Sequence, residues 1–286
     1  MLVKLTNRQV KLGVIGSPVA HSLSPVIHNY MINELALNYI YLPFDVERGN
    51  AKKFLNAASL MGVTGFNVTM PHKQDIFSGV AEALGDALAA GSVNTAVLKC
   101  GRWLGYSTDG DGFNLSLLEK GVNVRGKSLL LLGAGGAARA VILSAKKNGA
   151  GKIVVLNRTA ANAKALADSM GVEYGGLESS RIAAEFARAD ILVNSTPLGM
   201  HGIDQDFMDL SFLSAAPGIV CDLIYNPLRT ELLKRAEQKG HVVINGLSML
   251  IYQAILSLEL FADMKIGAHE MKSGVEKYLL KNGYIH

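Results

Sequence analysis

Gly133, Gly135 and Ala138 stand in the spacing G-x-G-x-x-A, the form of loop that seats a dinucleotide. They follow Ser128-Leu-Leu-Leu-Leu132, whose leucine run reads as a strand buried on both faces, and precede an alanine-rich helical run to about Lys147. In such a loop the first glycine makes the tight turn, and the second lets a pyrophosphate lie against bare backbone. The small third residue lets the helix pack on the strand, and that helix's N-terminus attracts the anion. The stretch Gly133-Ala134-Gly135-Gly136-Ala137 is therefore the candidate cradle, although a glycine-rich turn that binds nothing has the same sequence. About twenty residues further on, a NAD site places an acid on the ribose 2′-hydroxyl. This chain has Asn157-Arg158-Thr159 there and no acid. An arginine can pair with a 2′-phosphate that a carboxylate would repel, while Asn and Thr add hydrogen bonds. A surface arginine that merely follows a strand is the bland alternative; coupled to the loop, Arg158 points to NADP over NAD.

Other reactive side chains cluster at the ends of apolar runs. Val63-Thr-Gly-Phe-Asn-Val-Thr69 reads as a strand running into Met70-Pro-His-Lys73, so Asn67, Thr69 and Lys73 gather where α/β sites form. A solvated loop lysine is the ordinary fate of such a residue. Ser92-Val-Asn-Thr-Ala-Val-Leu98 is another strand candidate, with Asn94 and Thr95 inside it needing partners, from the fold or from a ligand. Ser107-Thr-Asp-Gly-Asp-Gly112 carries two carboxylates, and turn chemistry explains them as well as catalysis does. Near the start, Ser24-Pro25 reads as a helix start with Ser24 as N-cap, whereas Ser22 lies outside that helix beside His21.

Positioning these groups takes alternating strands and helices. Ile153–Leu156, Asp190–Asn194, Gly218–Asp222 and His241–Ile244 are buried-strand candidates beside the leucine run, which predicts a doubly wound parallel sheet. Thr230 caps a helix from Glu231 to Lys239, and Leu247 to Leu260 is apolar almost all round, so it must be covered. The 286 residues carry 49% hydrophobic and 18% charged side chains and a net charge of +4, which describes an ordinary globular chain open to a small anionic substrate. No Lys/Arg-rich run argues for nucleic acid, and no leader or membrane-length apolar stretch is visible. A soluble cytoplasmic protein is the expectation. Cys100 and Cys221 lack metal-ligand spacing and read as buried, inert thiols.

Taken in order, these motifs resemble the shikimate dehydrogenase family, including its quinate/shikimate branch. The matches are Ser22-Leu-Ser-Pro25, Gly65-Phe-Asn-Val-Thr-Met-Pro-His-Lys73, Val93-Asn-Thr95, Thr108-Asp109, Gly133-Ala-Gly-Gly136, Asn157-Arg-Thr159, Asn194-Ser-Thr-Pro-Leu-Gly-Met200, Asp222-Leu-Ile-Tyr-Asn-Pro227 and Gly246-Leu-Ser-Met-Leu-Ile-Tyr-Gln253. The resemblance implies an α/β substrate domain of residues 1–109 completed by C-terminal helices from 246–286, and a Rossmann-like NADP domain at 110–245. It implies NADP-linked interconversion of shikimate and 3-dehydroshikimate in aromatic amino acid (chorismate) biosynthesis, by a monomer or homodimer. Carried over residue by residue, Ser22 and Ser24 bind the substrate carboxylate, and Thr69, Asn94, Asp109 and Gln253 its hydroxyls. Lys73 and Asp109 form the catalytic pair, and Tyr225 lines the substrate site. Thr196, Met200 and Gly246 join the glycine loop on the cofactor side. Two departures stand out: Ser107 where the family commonly has Asn, and Phe261-Ala262 where a Trp is often found. Alternatives are a dual quinate/shikimate dehydrogenase that also uses NAD, a non-catalytic regulator on the same fold, and a methyltransferase, whose cofactor has no 2′-phosphate for Arg158.

Overall fold

The computed structural model describes residues 6, 8–200, 209–214 and 218–285, so most of the N-terminal residues read for a leader lie outside it. The chain divides into two compact units, one running to Thr108 and resuming over Ile251–Tyr284, the other spanning Asp109–Leu250.

The first unit is built on a mixed sheet. Strands β1 (Val10–Gly16), β2 (Tyr39–Asp45) and β3 (Val63–Val68) are parallel, with β1 in the middle, and helices α1 (Ser24–Glu34) and α2 (Ala51–Leu60) make the crossovers. A short helix α3 (Lys73–Phe77), the short strand β4 (Glu82–Ala83) and helix α4 (Asp86–Ala90) follow. Strands β5 (Thr95–Lys99) and β6 (Arg102–Tyr106) then form an antiparallel hairpin, giving the order β2-β1-β3-β5-β6-β4. One face is an apolar layer in which Phe66 meets Phe54 and Trp103 edge to face. Asn94 sits just before β5, not inside it, yet its carbonyl accepts from Val68 N at 2.8 Å and so continues the ladder.

The second unit opens with α5 (Asp109–Leu118), where a turn was expected. Asp and Gly suit turns, but Asp109 and Asp111 fall in the helix's first turn, where carboxylates meet its positive end. Strands β7 (Leu129–Leu132), β8 (Ile153–Asn157), β9 (Glu173–Gly176), β10 (Ile191–Asn194), β11 (Ile219–Asp222) and β12 (Val242–Ile244) form a parallel sheet in the order β12-β11-β10-β7-β8-β9. That is the doubly wound order, with the first strand at the switch point. Helices α6 (Gly136–Lys147), α7 (Ala160–Met170), α8 (Ser179–Phe186) and α9 (Glu231–Gln238) cover it, with a 3₁₀ turn at Leu210–Ser214. The two-residue period of the strand splits the leucine run between layers. Leu129 and Leu131 pack with α5, α6 and α7, and Leu130 and Leu132 with α8 and α9.

Helix α10 (Gly246–Ala262) begins in the second unit and ends in the first, followed by α11 (Ala268–Lys281). Its apolar residues Leu247, Ile251, Ala254, Ile255 and Leu258 are buried on several sides, as the sequence requires. Cys221 is buried as expected. Cys100 is exposed, because it lies in the tight turn between β5 and β6, where it takes a positive φ of 49°.

Candidate active site

In the first unit a seam of buried polar side chains runs from β2 to α10. Tyr41 Oη donates to Asn67 Oδ1 at 2.7 Å. Asn67 Nδ2 lies within reach of Asn94 O, Thr95 Oγ1 and Ser257 Oγ at 3.1, 3.0 and 2.9 Å. Asn94 Nδ2 donates to Thr108 Oγ1 at 2.9 Å, and Asn94 Oδ1 accepts from Thr108 N at the same distance. Both Thr108 Oγ1 and Ser257 Oγ donate to the Gln253 carbonyl, at 3.0 and 2.8 Å. The second sits at the i+4 position of the same helix. A satisfied network of this kind rigidifies the groups it contains, because leaving any one of them unpaired in a dry interior is costly. Asn94 and Gln253 are thus held by the fold and share a 3.4 Å contact between Nδ2 and Oε1.

Around this seam the chain brings other expected residues of the first unit. Lys73 opens α3, and its carbonyl accepts from Val93 N at 3.1 Å, which ties it next to Asn94. Thr69 ends the β3 run, bonded through its N–H to Ile15 O at 2.9 Å. Gly16 leaves room for it, since a Cβ there would lie 2.5 Å from Thr69 Cγ2. The helix start falls one residue earlier than Ser24-Pro25 suggests. Leu23, not Ser24, is the N-cap of α1, because Ile27 N already bonds Leu23 O; Ser22 Oγ accepts from Ser24 N at 3.2 Å and so caps the helix start. Ser24 lies inside the first turn, and its carbonyl accepts from Nδ1 of His28 at 2.9 Å. His28 stacks on Tyr41 with ring centroids 4.0 Å apart, and burial pushes its pKa down to about 4, so the ring is neutral at pH 7.

The remaining substrate-side candidates belong to the second unit. Asp109 is only 8% exposed. The turn behind it is fixed by Ser144 Oγ donating to Gly110 O at 2.7 Å, and a Cβ on Gly110 would lie 2.9 Å from Ala140 O. Tyr225 follows β11, and burial raises its phenol above the ordinary value.

The carboxyl ends of β7 and β10 frame the candidate nucleotide crevice of the second unit. Gly133 has φ +104°, and a Cβ there would lie 2.7 Å from Ser195 Oγ, so only glycine fits. Gly135 is the opposite case: a Cβ would meet nothing within 4 Å, leaving open backbone at the N-cap of α6 with Gly136 and Ala137 in its first turn. Ala138 is fully buried where α6 meets the sheet. These features fit a pyrophosphate lying against the loop. Asn157 Nδ2 donates to Thr159 O at 3.0 Å, shaping the turn that presents exposed Arg158 ahead of α7. Among the described residues, none pairs with the Arg158 guanidinium. Across the crevice, Thr196 N and Oγ1 bond to Asn194 Oδ1 at 3.1 and 2.6 Å. Asn194 Nδ2 in turn donates to buried Asp222 at 3.0 Å. Met200 is 37% exposed. Gly246 bonds Ile224 O through its N–H at 3.0 Å, and a Cβ there would clash with the Leu223 carbonyl.

Family models of the shikimate dehydrogenase substrate binding domain and of shikimate/quinate 5-dehydrogenase match residues 14–96 and 116–211. A curated shikimate dehydrogenase (NADP+) of Methanococcus aeolicus is 40% identical over 279 residues, covering 95% of this chain and 99% of the relative. The chain belongs to the shikimate dehydrogenase family. A crystal structure of a second member, shikimate 5-dehydrogenase from Thermus thermophilus in complex with NADP(H) and shikimate, has 30% identity and a TM-score of 0.84 over 94% of this chain and 99% of that one. Quinate dehydrogenase from Corynebacterium glutamicum in complex with NAD is also similar, with 30% identity and a TM-score of 0.82 over 93% and 98% of the two chains.

For this family member the sequence reading missed two groups and one bond of a third. Ser257 was legible as a hydroxyl one turn after Gln253 on an otherwise apolar helix. Tyr41 carried no signal, since a strand tyrosine reads as core. Thr230 was legible as a cap, and it accepts from Leu233 N at 3.3 Å, but its second bond, to Asp222 Oδ2 at 2.7 Å, depends on tertiary pairing.

Proposed function

We propose that this protein catalyses the reversible NADP-linked reduction of 3-dehydroshikimate to shikimate. One observation carries the reading: the chain of a shikimate dehydrogenase family member joins the donor-rich seam at Asn94 and Gln253 to a glycine-loop crevice whose second strand ends in Arg158 and no acid. The residues fit the cofactor, with residues 133–137 against the pyrophosphate, Asn157, Arg158 and Thr159 on the 2′-phosphate side, and Thr196, Met200 and Gly246 toward the other end. When bound, NADPH supplies the hydride. Reduction of the ketone also requires a proton on its oxygen, and Lys73 Nζ is the group assigned to hold and donate it, its positive charge offsetting the negative charge that develops there. Asp109 orients that ammonium and shares a hydroxyl contact. Ser22 and Ser24 take the substrate carboxylate, Thr69, Asn94 and Gln253 the ring hydroxyls, and Tyr225 closes the pocket wall. Retention of both serines supports shikimate over quinate, and the reading sets the enzyme in the cytoplasm; no described helix is long and apolar enough to cross a membrane.

The test is a spectrophotometric assay of shikimate and quinate, each against NADP+ and NAD+. Shikimate with NADP+ should give the highest kcat/KM. A higher value for quinate with NAD+ would make the protein a quinate dehydrogenase, and tight shikimate binding without turnover would make it a regulator.

A further inference from the structure

Backbone groups force the direction of the bonds in the seam, because an N–H only donates and a C=O only accepts. The amide atom of Asn94 that lies 2.9 Å from Thr108 N is therefore its oxygen. The amide atom of Asn67 that lies 3.1 Å from Asn94 O is therefore its nitrogen, and the Asn67 oxygen is left to accept from Tyr41. Thr95 Oγ1 stands between the two amides, 3.0 Å from Asn67 Nδ2 and 2.9 Å from Asn94 Oδ1. It accepts from the first. Ser257 Oγ is also 2.9 Å away, but a hydroxyl can supply the hydrogen of that contact itself whereas a carbonyl oxygen cannot, so the Thr95 hydrogen goes to Asn94 Oδ1. Both lone pairs of Asn94 Oδ1 are then occupied from inside the protein, one by Thr108 N–H and one by the Thr95 hydroxyl. Asn94 Nδ2 has one hydrogen on Thr108 Oγ1 at 2.9 Å and the other toward Gln253 Oε1 at 3.4 Å, the long end of hydrogen-bond range.

We infer that Thr95 and Thr108 are positioning residues that hold Asn94 as an obligate hydrogen-bond donor, so that the site takes an oxygen acceptor at this point and rejects a group that can only donate. The inference rests on the reading of Asn94 as a substrate contact. It adds a direction to that contact and assigns the cause to two residues outside the proposed substrate contacts. A donor of fixed polarity also serves both redox forms of the ligand, since hydroxyl and ketone oxygens alike accept.

The experiment is steady-state kinetics on the full chain with shikimate and NADP+ for Asn94→Ala, Asn94→Asp, Thr95→Val and Thr95→Ser. Asn94→Asp keeps an oxygen for Thr108 N and Thr95 Oγ1 to bond but turns an acceptor outward, so it should raise the shikimate KM at least as much as Asn94→Ala. Thr95→Val should raise that KM roughly five- to tenfold, and Thr95→Ser should restore it to within about twofold. The NADP+ KM, read out in the other unit, should stay within about twofold throughout. A near-normal shikimate KM for Asn94→Asp, or an unchanged KM for Thr95→Val while Asn94→Ala is impaired, would overturn the inference alone. Failure of Thr95→Ser to rescue would reduce Thr95 to packing. An unchanged KM for Asn94→Ala would overturn both the inference and the substrate-contact reading beneath it.

Discussion

Asp222 offers a quantitative test of how the nucleotide crevice is held. Its carboxylate ends β11 and is 1% exposed. Oδ1 accepts from Asn194 Nδ2 at 3.0 Å and from Ile224 N at 3.1 Å, and Oδ2 accepts from Thr230 Oγ1 at 2.7 Å. Burial outweighs these three bonds and pushes the group up to about 6. The unfolded chain has an ordinary aspartate near ~3.9. Between those values the native state binds more protons than the unfolded one, so this group's contribution is fully present below about pH 4 and is lost as pH rises through 6. Two pH units correspond to about 3 kcal/mol. Asn at this position is isosteric. Its carbonyl would keep the Asn194 and Ile224 donors, and its amide would face Thr230 Oγ1, which has a lone pair to accept with. Asp222→Asn should therefore be more stable than the parent at pH 8, by up to about 3 kcal/mol, with the gap narrowing to about half of that at pH 5. Asp222→Ala should be less stable at every pH, because it orphans three donors at about 1–3 kcal/mol each. Equilibrium urea unfolding at steps from pH 5 to pH 8 reads both effects. A difference between parent and Asp222→Asn that does not change with pH would refute the argument.

Two further predictions concern the proposed chemistry. Lys73→Ala should lower kcat by roughly 10²–10⁴ while leaving shikimate affinity much less affected; a near-normal kcat in a stopped-flow or steady-state assay would make Lys73 a solvated residue. Arg158→Ala should raise the KM for NADPH far more than for NADH, and equal effects on both cofactors would remove the 2′-phosphate assignment.

The second unit was largely legible because parallel strands are apolar on both faces and leave continuous runs such as Leu129–Leu132. Among the strands that went unread, β4 and β9 have the sequences Glu-Ala and Glu-Tyr-Gly-Gly at sheet edges, where pairing forms the strand without an apolar run. Ser22 and Ser24 show a different limit. Capping depends on which carbonyl takes the first helical bond, and here Leu23 does, one residue earlier than the Ser-Pro pair suggests. The site motifs were visible as residue types, but the seam was not. Its members come from β2, β3, β5, α10 and the residues just before β5 and after β6, and a bond such as Asn67 to Ser257 spans 190 positions of sequence.

That span has a consequence for how the chain is made. The first unit is closed by residues of α10 and α11, which leave the ribosome after the whole of Asp109–Leu250. At ordinary synthesis rates the N-terminal sheet waits on the order of ten seconds for Ser257 and the Gln253 carbonyl to arrive. Until then Thr95, Thr108 and Asn67 lack these partners, and Gly65 of β3 lacks the Phe261 ring that packs against it. The second unit draws its helices and its whole sheet from Asp109–Leu250 and only Ile285 from among the last described residues, so its sheet is free to fold first. In a nascent-chain experiment, protease resistance should therefore appear in residues 109–250 before it appears in residues 10–108.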